Sequence, residues 1–138
     1  MMLKSVLLPV PPMAAFELFT QRASEWWPRD RRHTADSASE IMLLQTGRFY
    51  ERAGDGQEVE LGRVRAWDAP HHILLDFFPA TGPDHPTEVE ITFAACEDGT
   101  RVTVSHRPKR ESEALWVERA AGYERSWDGV LTALRAAA

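Results

Sequence analysis

Alternation of apolar and polar residues in two neighbouring segments, 87–93 and 101–106, limits the fold of this chain more than any other feature. In "TEVEITF" the apolar residues Val89, Ile91 and Phe93 share one face of an extended strand, and "RVTVSH" repeats the pattern with Val102 and Val104. The intervening "CEDGT" contains an Asp-Gly pair, a strong hairpin signal because the turn requires positive φ. The two segments are therefore predicted to form an antiparallel hairpin with one buried face.

Earlier segments predict further strands and two short helices. A second Asp-Gly pair joins "GRFYERA" to "EVELGRVRAW", "DAP" turns the chain into "HHILLDFF", and "ASEIMLLQTG" supplies one more strand. At the start, "LKSVLLPV" predicts a short strand, and "PPMAAFELFTQRA" predicts a helix because proline is tolerated in a first helical turn. "SEWWP" predicts a second short helix, capped by Ser24 and ended by Pro28.

The hydrophobic period changes to that of a helix from Glu111 onward. This pattern predicts one long amphipathic helix at the C-terminal end. Its three large aromatic side chains are more than packing on a flat sheet requires, so we expect a concave partner surface. The apolar stripe comprises Trp116, Ala120, Tyr123, Trp127, Val130 or Leu131, and Leu134.

The length of 138 residues and the 43% hydrophobic content predict one domain, residues 1–138, with a core that needs no disulfide or structural metal. The single Cys96 excludes an intramolecular disulfide, and the N-terminus does not resemble a signal peptide. We therefore expect a reducing, cytoplasmic setting. Because the apolar runs are far shorter than the roughly 20 residues that cross a bilayer, we expect no membrane partner.

The net charge of −5, from 21 acidic and 16 basic residues, argues against nucleic acid as the main partner, because phosphate recognition requires a basic surface. The one dense basic cluster, "PRDRRH", is interrupted by Asp30 and lacks an interleaved aromatic, so it is interpreted as a solvated loop. The chain has no G-x-S-x-G nucleophile motif, no Gly-rich phosphate loop and no HExxH motif. No catalytic residue is assigned, and no cofactor is expected.

The adjacent His71 and His72 raise the question of a metal site. Neighbouring residues on a strand point to opposite faces, so two adjacent imidazoles cannot easily share one ion. Asp84 and His85 in "TGPDHP" could supply further ligands from the next loop. On the geometry of the His pair, we expect no metal.

Several longer segments, taken in order, resemble the SRPBCC superfamily, the START-like or birch-pollen-allergen-like proteins. They are "PPMAAFELFTQRASEWWP", "GRFYER" followed by "DGQEVELGRVRAWDAPHHILLDF", "TEVEITFAACEDGTRVTVSH" and "GYERSWDGVLTAL". They are most similar to the bacterial branch related to the C-terminal domain of the heat-shock-protein ATPase activator. The pattern of that branch matches at Gly62, Val64, Trp67, Asp68 and Pro70, with alanine in place of one proline. In this pattern "DAPHH" is a turn between two strands.

The resemblance implies an α+β helix-grip fold, in which a curved antiparallel sheet of about six or seven strands wraps around a long C-terminal helix. Two short helices follow the first strand. The function it implies first is non-enzymatic binding of a small hydrophobic or aromatic molecule in a cavity between the sheet and the C-terminal helix. Two alternatives stay open: an enzyme similar to polyketide cyclases, aromatases or hydrolases, and a domain that interacts with a chaperone partner. A homodimer also stays open.

Residues of the predicted inner faces are candidates to line such a cavity, with ordinary core packing as the competing interpretation. His106 shares a strand face with Val102 and Val104 and is a candidate hydrogen-bond donor or general base. Alternation places Asp76 on the outer face, although a bulge would turn it inward beside His106. The cavity candidates are Trp26, Trp27, Phe49, Trp67, Leu75, Phe77, His106, Trp116, Tyr123 and Trp127.

Overall fold

A computed structural model describes the whole chain, residues 1–138. Its strands are β1 (Met2–Leu8), β2 (Glu40–Leu43), β3 (Arg48–Arg52), β4 (Glu58–Asp68), β5 (His72–Phe77), β6 (Thr87–Cys96) and β7 (Gly99–Pro108). Its helices are α1 (Pro12–Thr20), α2 (Ala23–Trp26) and α3 (Glu113–Ala137), with short 3-10 turns at Arg29–Arg31 and Arg110–Ser112. The seven strands form one antiparallel sheet in the order β1-β7-β6-β5-β4-β3-β2. This arrangement confirms the predicted α+β helix-grip fold.

The predicted hairpin between β6 and β7 is confirmed, and the structure shows why it ends in glycine. Cys96 pairs with Gly99, so Glu97 and Asp98 form the turn itself. Gly99 has a φ of +141°, and a Cβ at this position would lie 2.0 Å from the carbonyl oxygen of Leu8. Glycine is therefore required by the close approach of β1 as well as by the positive φ.

The core lies between α3, the two shorter helices and the inner face of the sheet. Alternate residues of β6 and β7 are buried along most of their length, as the period of two predicts. The long amphipathic helix is confirmed as α3, whose buried residues are Tyr123, Trp127, Val130, Leu131 and Leu134. The α3 segment before Tyr123 is only partly buried, and Trp116 is half-buried there. None of the helices is both long and apolar enough to cross a bilayer.

The predicted capping role of Ser24 is wrong. Helix α2 begins at Ala23, which places Ser24 inside the helix, and Arg22 is the N-cap residue. The Ser24 hydroxyl instead accepts a hydrogen bond from the Ile41 amide at 2.8 Å and donates one to the Ile41 carbonyl oxygen at 3.2 Å. Ser24 therefore connects α2 to the edge strand β2, a long-range contact that local sequence does not reveal.

The outer face of the sheet carries ion pairs between neighbouring strands. Asp76 lies on this face, where its carboxylate contacts Arg65 at 3.1 Å and Lys109 at 2.9 Å. His72 lies on the same face with its Nε2 2.7 Å from a carboxylate oxygen of Glu90. Strand β5 keeps its alternation at this point, with buried residues on either side of Asp76. The inward orientation of Asp76 considered above does not occur.

Candidate functional site

A cavity of about 460 Å³ lies between the N-terminal half of α3 and the inner face of the sheet. Its floor is apolar and is formed by Trp27, Phe49, Leu61, Phe77 and Tyr123. All five side chains are buried in the fold. The residues around its opening are exposed or half-buried, and the cavity is open to solvent on that side.

The floor depends on the register of three strands. Gly62 of β4 pairs with Phe49 on β3 and with Phe77 on β5. A Cβ at Gly62 would lie 2.2 Å from the Asp76 carbonyl oxygen and 3.4 Å from the Phe49 ring. Because glycine leaves this space open, the rings of Phe49 and Phe77 stack across it with centroids 6.4 Å apart.

Tyr123 and Arg119 fasten α3 to the loop that follows β5. The Tyr123 hydroxyl donates a hydrogen bond to the Pro79 carbonyl oxygen at 2.7 Å, and the Arg119 Nε donates one to the Ala80 carbonyl oxygen at 3.0 Å. Burial raises the pKa of Tyr123 above its usual value, so the phenol stays protonated near neutral pH. Its single proton is already donated to the protein, which leaves only an acceptor site for a ligand.

The opposite wall of the cavity is a loop held in place by the buried carboxylate of Glu51. One carboxylate oxygen accepts a hydrogen bond from the His33 amide at 2.6 Å. The other accepts from the Thr34 amide at 2.9 Å, the Thr34 hydroxyl at 2.6 Å and the Ser39 hydroxyl at 2.9 Å. Burial opposes the charge on Glu51, but these hydrogen bonds outweigh it, and the pKa of the carboxyl is lowered.

Arg32 also stabilises this loop, which corrects the interpretation of "PRDRRH" as merely solvated. Its guanidinium donates hydrogen bonds to the carbonyl oxygens of Ser24 at 3.0 Å and Trp27 at 3.1 Å, and to that of Ser39. Burial lowers the pKa of Arg32 from its usual high value. The preceding 3-10 turn then brings Asp30 and Arg31 to the opening of the cavity.

His106 lies in the core and does not line the cavity, although alternation correctly predicts that it points inward. The indole N–H of Trp127 donates to its Nδ1 at 3.0 Å. Its Nε2 lies 2.8 Å from the Thr87 hydroxyl, which itself donates to the Phe77 carbonyl oxygen at 3.1 Å. Because indole is a donor only, Nδ1 must accept, and His106 is the neutral tautomer with its proton on Nε2.

A general-base role for His106 conflicts with this geometry. Both ring nitrogens are occupied by protein groups, and burial, with a smaller effect of the N-terminal ammonium, lowers the pKa of His106 to about 3. Protonation of Nδ1 would place its N–H against the indole N–H of Trp127. His106 also has no carboxylate beside it, since Asp76 lies on the other face of the sheet.

The ten predicted cavity residues divide into two sets. Those that line the cavity are Trp27, Phe49, Phe77 and Tyr123. Those that pack elsewhere in the fold are Trp26, Trp67, Leu75, His106, Trp116 and Trp127. Trp67, for example, packs edge-on against Phe16 with ring centroids 5.1 Å apart.

Sequence reasoning missed the polar opening of the cavity. These residues are Asp30, Arg31, His33, Glu118, Arg119, Arg125 and Ser126. Two signals pointed to them: the dense basic cluster around residue 31, and the charged flank of the terminal helix beside its apolar stripe. Glu51 was also missed, although alternation places it on the same strand face as Phe49.

The histidines considered as metal ligands lie apart. His71 is exposed in the turn between β4 and β5, while His72 is bound to Glu90 on the outer face. Asp84 and His85 are exposed in the loop before β6. No group of three or more His, Cys, Asp or Glu residues is placed to hold a metal ion.

Comparison with protein families gives a match over residues 9–138, to the family described as "Activator of Hsp90 ATPase homolog 1-like protein". The chain belongs to this family. The match covers every element from the start of α1 to the end of α3, and so includes all residues that form the cavity. A comparison with curated proteins gave no match.

Solved structures similar to this family member include a resistance protein and a synthase. The self-sacrificing resistance protein CalC from Micromonospora echinospora is 24% identical, with a TM-score of 0.75 over 97% of this chain and 90% of that one. Protein NE0264 from Nitrosomonas europaea is 15% identical, with a TM-score of 0.68 over 97% and 90%. The anthrahydroquino-gamma-pyrone synthase Txn09, complexed with SUM, is 28% identical, with a TM-score of 0.55 over 77% and 75%.

Proposed function

We propose that this protein binds a small apolar or aromatic molecule in the cavity between α3 and the sheet. The observation that carries the proposal is the cavity of about 460 Å³ with an apolar floor of five side chains and a polar opening. Small-molecule sites in proteins are commonly concave, mainly apolar and of this volume, with a few polar groups that orient the ligand.

The aromatic floor favours a flat ligand. Phe49 and Phe77 are stacked, and Trp27 meets Phe49 edge-on with ring centroids 6.1 Å apart. An aromatic ring placed against this floor would gain offset or edge-on contacts in addition to burial of its apolar area. The similarity to Txn09, whose name describes the synthesis of a fused aromatic product, supports the same ligand class.

The side chains near the cavity favour a binding function over a catalytic one. The hydroxyl proton of Tyr123 is donated to Pro79, and the ring nitrogens of His106 are occupied in the core. The alternative of a cyclase-like or hydrolase-like enzyme has the Txn09 comparison in its favour, but no nucleophile with an adjacent base lies among the lining residues. The hypothesis of a chaperone partner has the family description as its only support.

A titration with the neutral fluorescent probe N-phenyl-1-naphthylamine tests the proposal. Gly122 of α3 lines the cavity, and a Cβ added there would meet only Nη2 of Arg125, at 3.9 Å. Gly129 lies two turns further along α3, outside the cavity, with nothing within 4 Å of an added Cβ. Gly122→Leu and Gly129→Leu are therefore a matched pair, because both replace a helical glycine in open space.

We expect saturable binding of the probe to the wild type and to Gly129→Leu. In Gly122→Leu the new side chain occupies the cavity, so the probe affinity should fall about tenfold or more, equivalent to at least ~1.4 kcal/mol. Urea unfolding should show that both variants are folded. Absence of saturable binding to the folded wild type, or equal affinities for the two variants, would count against this site.

A further inference from the structure

The opening of the cavity is more basic than the protein as a whole. The lining residues that can carry positive charge are Arg31, His33, Arg119 and Arg125, against the carboxylates Asp30 and Glu118. The chain overall has a net charge of −5. Cationic side chains are thus concentrated where a ligand would enter a protein that is otherwise acidic.

Two of these arginines are not neutralised by the protein. Arg119 lies 3.9 Å from Glu118 and is hydrogen-bonded to Ala80, but neither Arg31 nor Arg125 forms an ion pair. The Nε of Arg31 is buried and meets no hydrogen-bond acceptor. The guanidinium of Arg31 donates no side-chain hydrogen bond to the protein, so its remaining N–H groups are available to a ligand oxygen at the opening.

The polar groups of the floor do not compete for this role. The Tyr123 hydroxyl donates to Pro79, so it offers a ligand only an acceptor site, and no floor residue carries a positive charge. An acidic group on the ligand therefore finds cationic partners only at the opening. The donors there include guanidinium groups, whose forked N–H geometry matches carboxylate and sulfonate oxygens.

We propose that the ligand of this cavity is an organic anion: an aromatic body that contacts the floor, with one carboxylate, sulfonate or comparable acidic group held by Arg31 and Arg125 at the opening. This inference rests on the proposed function, since it names the chemical class of the molecule bound there. The net positive opening also raises the local concentration of anions and speeds their entry.

Two probes that share a phenyl-naphthylamine body separate this inference from the function on which it rests. N-phenyl-1-naphthylamine is neutral, and 1-anilinonaphthalene-8-sulfonate adds one sulfonate. We expect Arg31→Gln and Arg125→Gln to weaken sulfonate-probe binding about three- to tenfold each, and neutral-probe binding less than about twofold. Raising the salt concentration should weaken only the sulfonate probe.

Arg135→Gln is the matched control, because Arg135 is exposed on the same helix as Arg125 but lies outside the cavity, and its loss changes the net charge equally. It should leave both affinities unchanged. If the neutral probe binds and the arginine variants affect both probes alike, or neither, the anionic class is wrong while the cavity function stands. If neither probe binds the folded wild type, the proposed function fails and this inference fails with it.

Discussion

Trp127 and His106 form a buried hydrogen bond in which the indole N–H donates to Nδ1 of the imidazole across 3.0 Å. Trp127 is 3% exposed and His106 is fully buried. The contact joins α3 to β7 and, through Thr87, continues to the backbone of β5. A polar chain therefore crosses the core beside the cavity, with each donor matched to an acceptor.

Truncation of Trp127 should affect stability and leave ligand binding unchanged. Trp127→Ala removes a large buried ring, which should cost on the order of 3–5 kcal/mol of unfolding free energy. Trp127→Phe keeps most of the volume but leaves Nδ1 of His106 without a donor, at a cost of about 1–3 kcal/mol. Urea unfolding and titration of the neutral probe measure both quantities. A small loss of stability combined with loss of probe binding would contradict this account and indicate that Trp127 lines the cavity.

The buried His106 should make the protein less stable as the pH falls. The pKa of His106 is about 3 in the folded state, below the ordinary value of 6.5. Between these two pH values the unfolded chain therefore binds a proton at this residue that the folded protein does not. Between these values the unfolding free energy should decrease by up to about 1.4 kcal/mol for each unit of pH.

Urea unfolding between about pH 7 and pH 5 measures this slope, a range in which histidines are the main titrating side chains. The pH dependence of the unfolding free energy should become smaller in His106→Gln. It should be unchanged in His71→Gln, which alters an exposed histidine in the turn before β5. Imidazole ¹⁵N shifts of His106 should stay those of the neutral Nε2–H tautomer across the range. An unchanged slope in His106→Gln would contradict the assignment.

Glu51→Gln should loosen the wall of the cavity. A carboxylate accepts all four hydrogen bonds from the loop, whereas the amide nitrogen of glutamine would face donors. We expect a loss of about 1–3 kcal/mol in unfolding free energy and faster hydrogen exchange at the amides of His33 and Thr34. Glu58→Gln, at an exposed position in the same hairpin, should change stability by less than about 1 kcal/mol. Equal effects of the two substitutions would contradict the anchoring role.

Gly99→Ala should destabilise the hairpin that pairs with β1. The added methyl group would clash with the carbonyl oxygen of Leu8 and would also occupy an unfavourable positive φ. The loss should exceed about 1 kcal/mol. Gly56→Ala is the control, since Gly56 also has positive φ, at +90°, but nothing lies within 4 Å of an added Cβ. Thermal unfolding that ranks Gly56→Ala as the more damaging change would contradict this account.

The fold could be predicted because its signals are local. The alternation around Val89 and Val104 and the helical stripe around Trp127 each specify a buried face without knowledge of the partner surface. The cavity could be predicted only in part, because a side chain on a buried face borders either other atoms or an open space, and packing decides which. Phe77 and His106 both point inward, yet only Phe77 reaches the cavity.

Hydrogen bonds between distant segments likewise could not be predicted from the sequence. Nothing local to His106 shows that Trp127 and Thr87 occupy its two nitrogens, since they lie 21 and 19 residues away. The role of Ser24 was mistaken for the same reason, because its partner, Ile41, lies on a separate strand. Glu51 differs from these, since an acidic residue on the predicted buried face with Phe49 was a visible sign of an unusual environment.

The residues that form the cavity differ in how strongly folding constrains them. The floor, with Phe49 and Phe77, belongs to the core and is constrained by folding. Arg125 at the opening is exposed and contributes little to the core. Substitutions at exposed sites usually change stability by less than about 0.5 kcal/mol. The molecules accepted by this scaffold can therefore diverge through mutation at the opening while the chain remains foldable, and directed evolution of its selectivity should begin there.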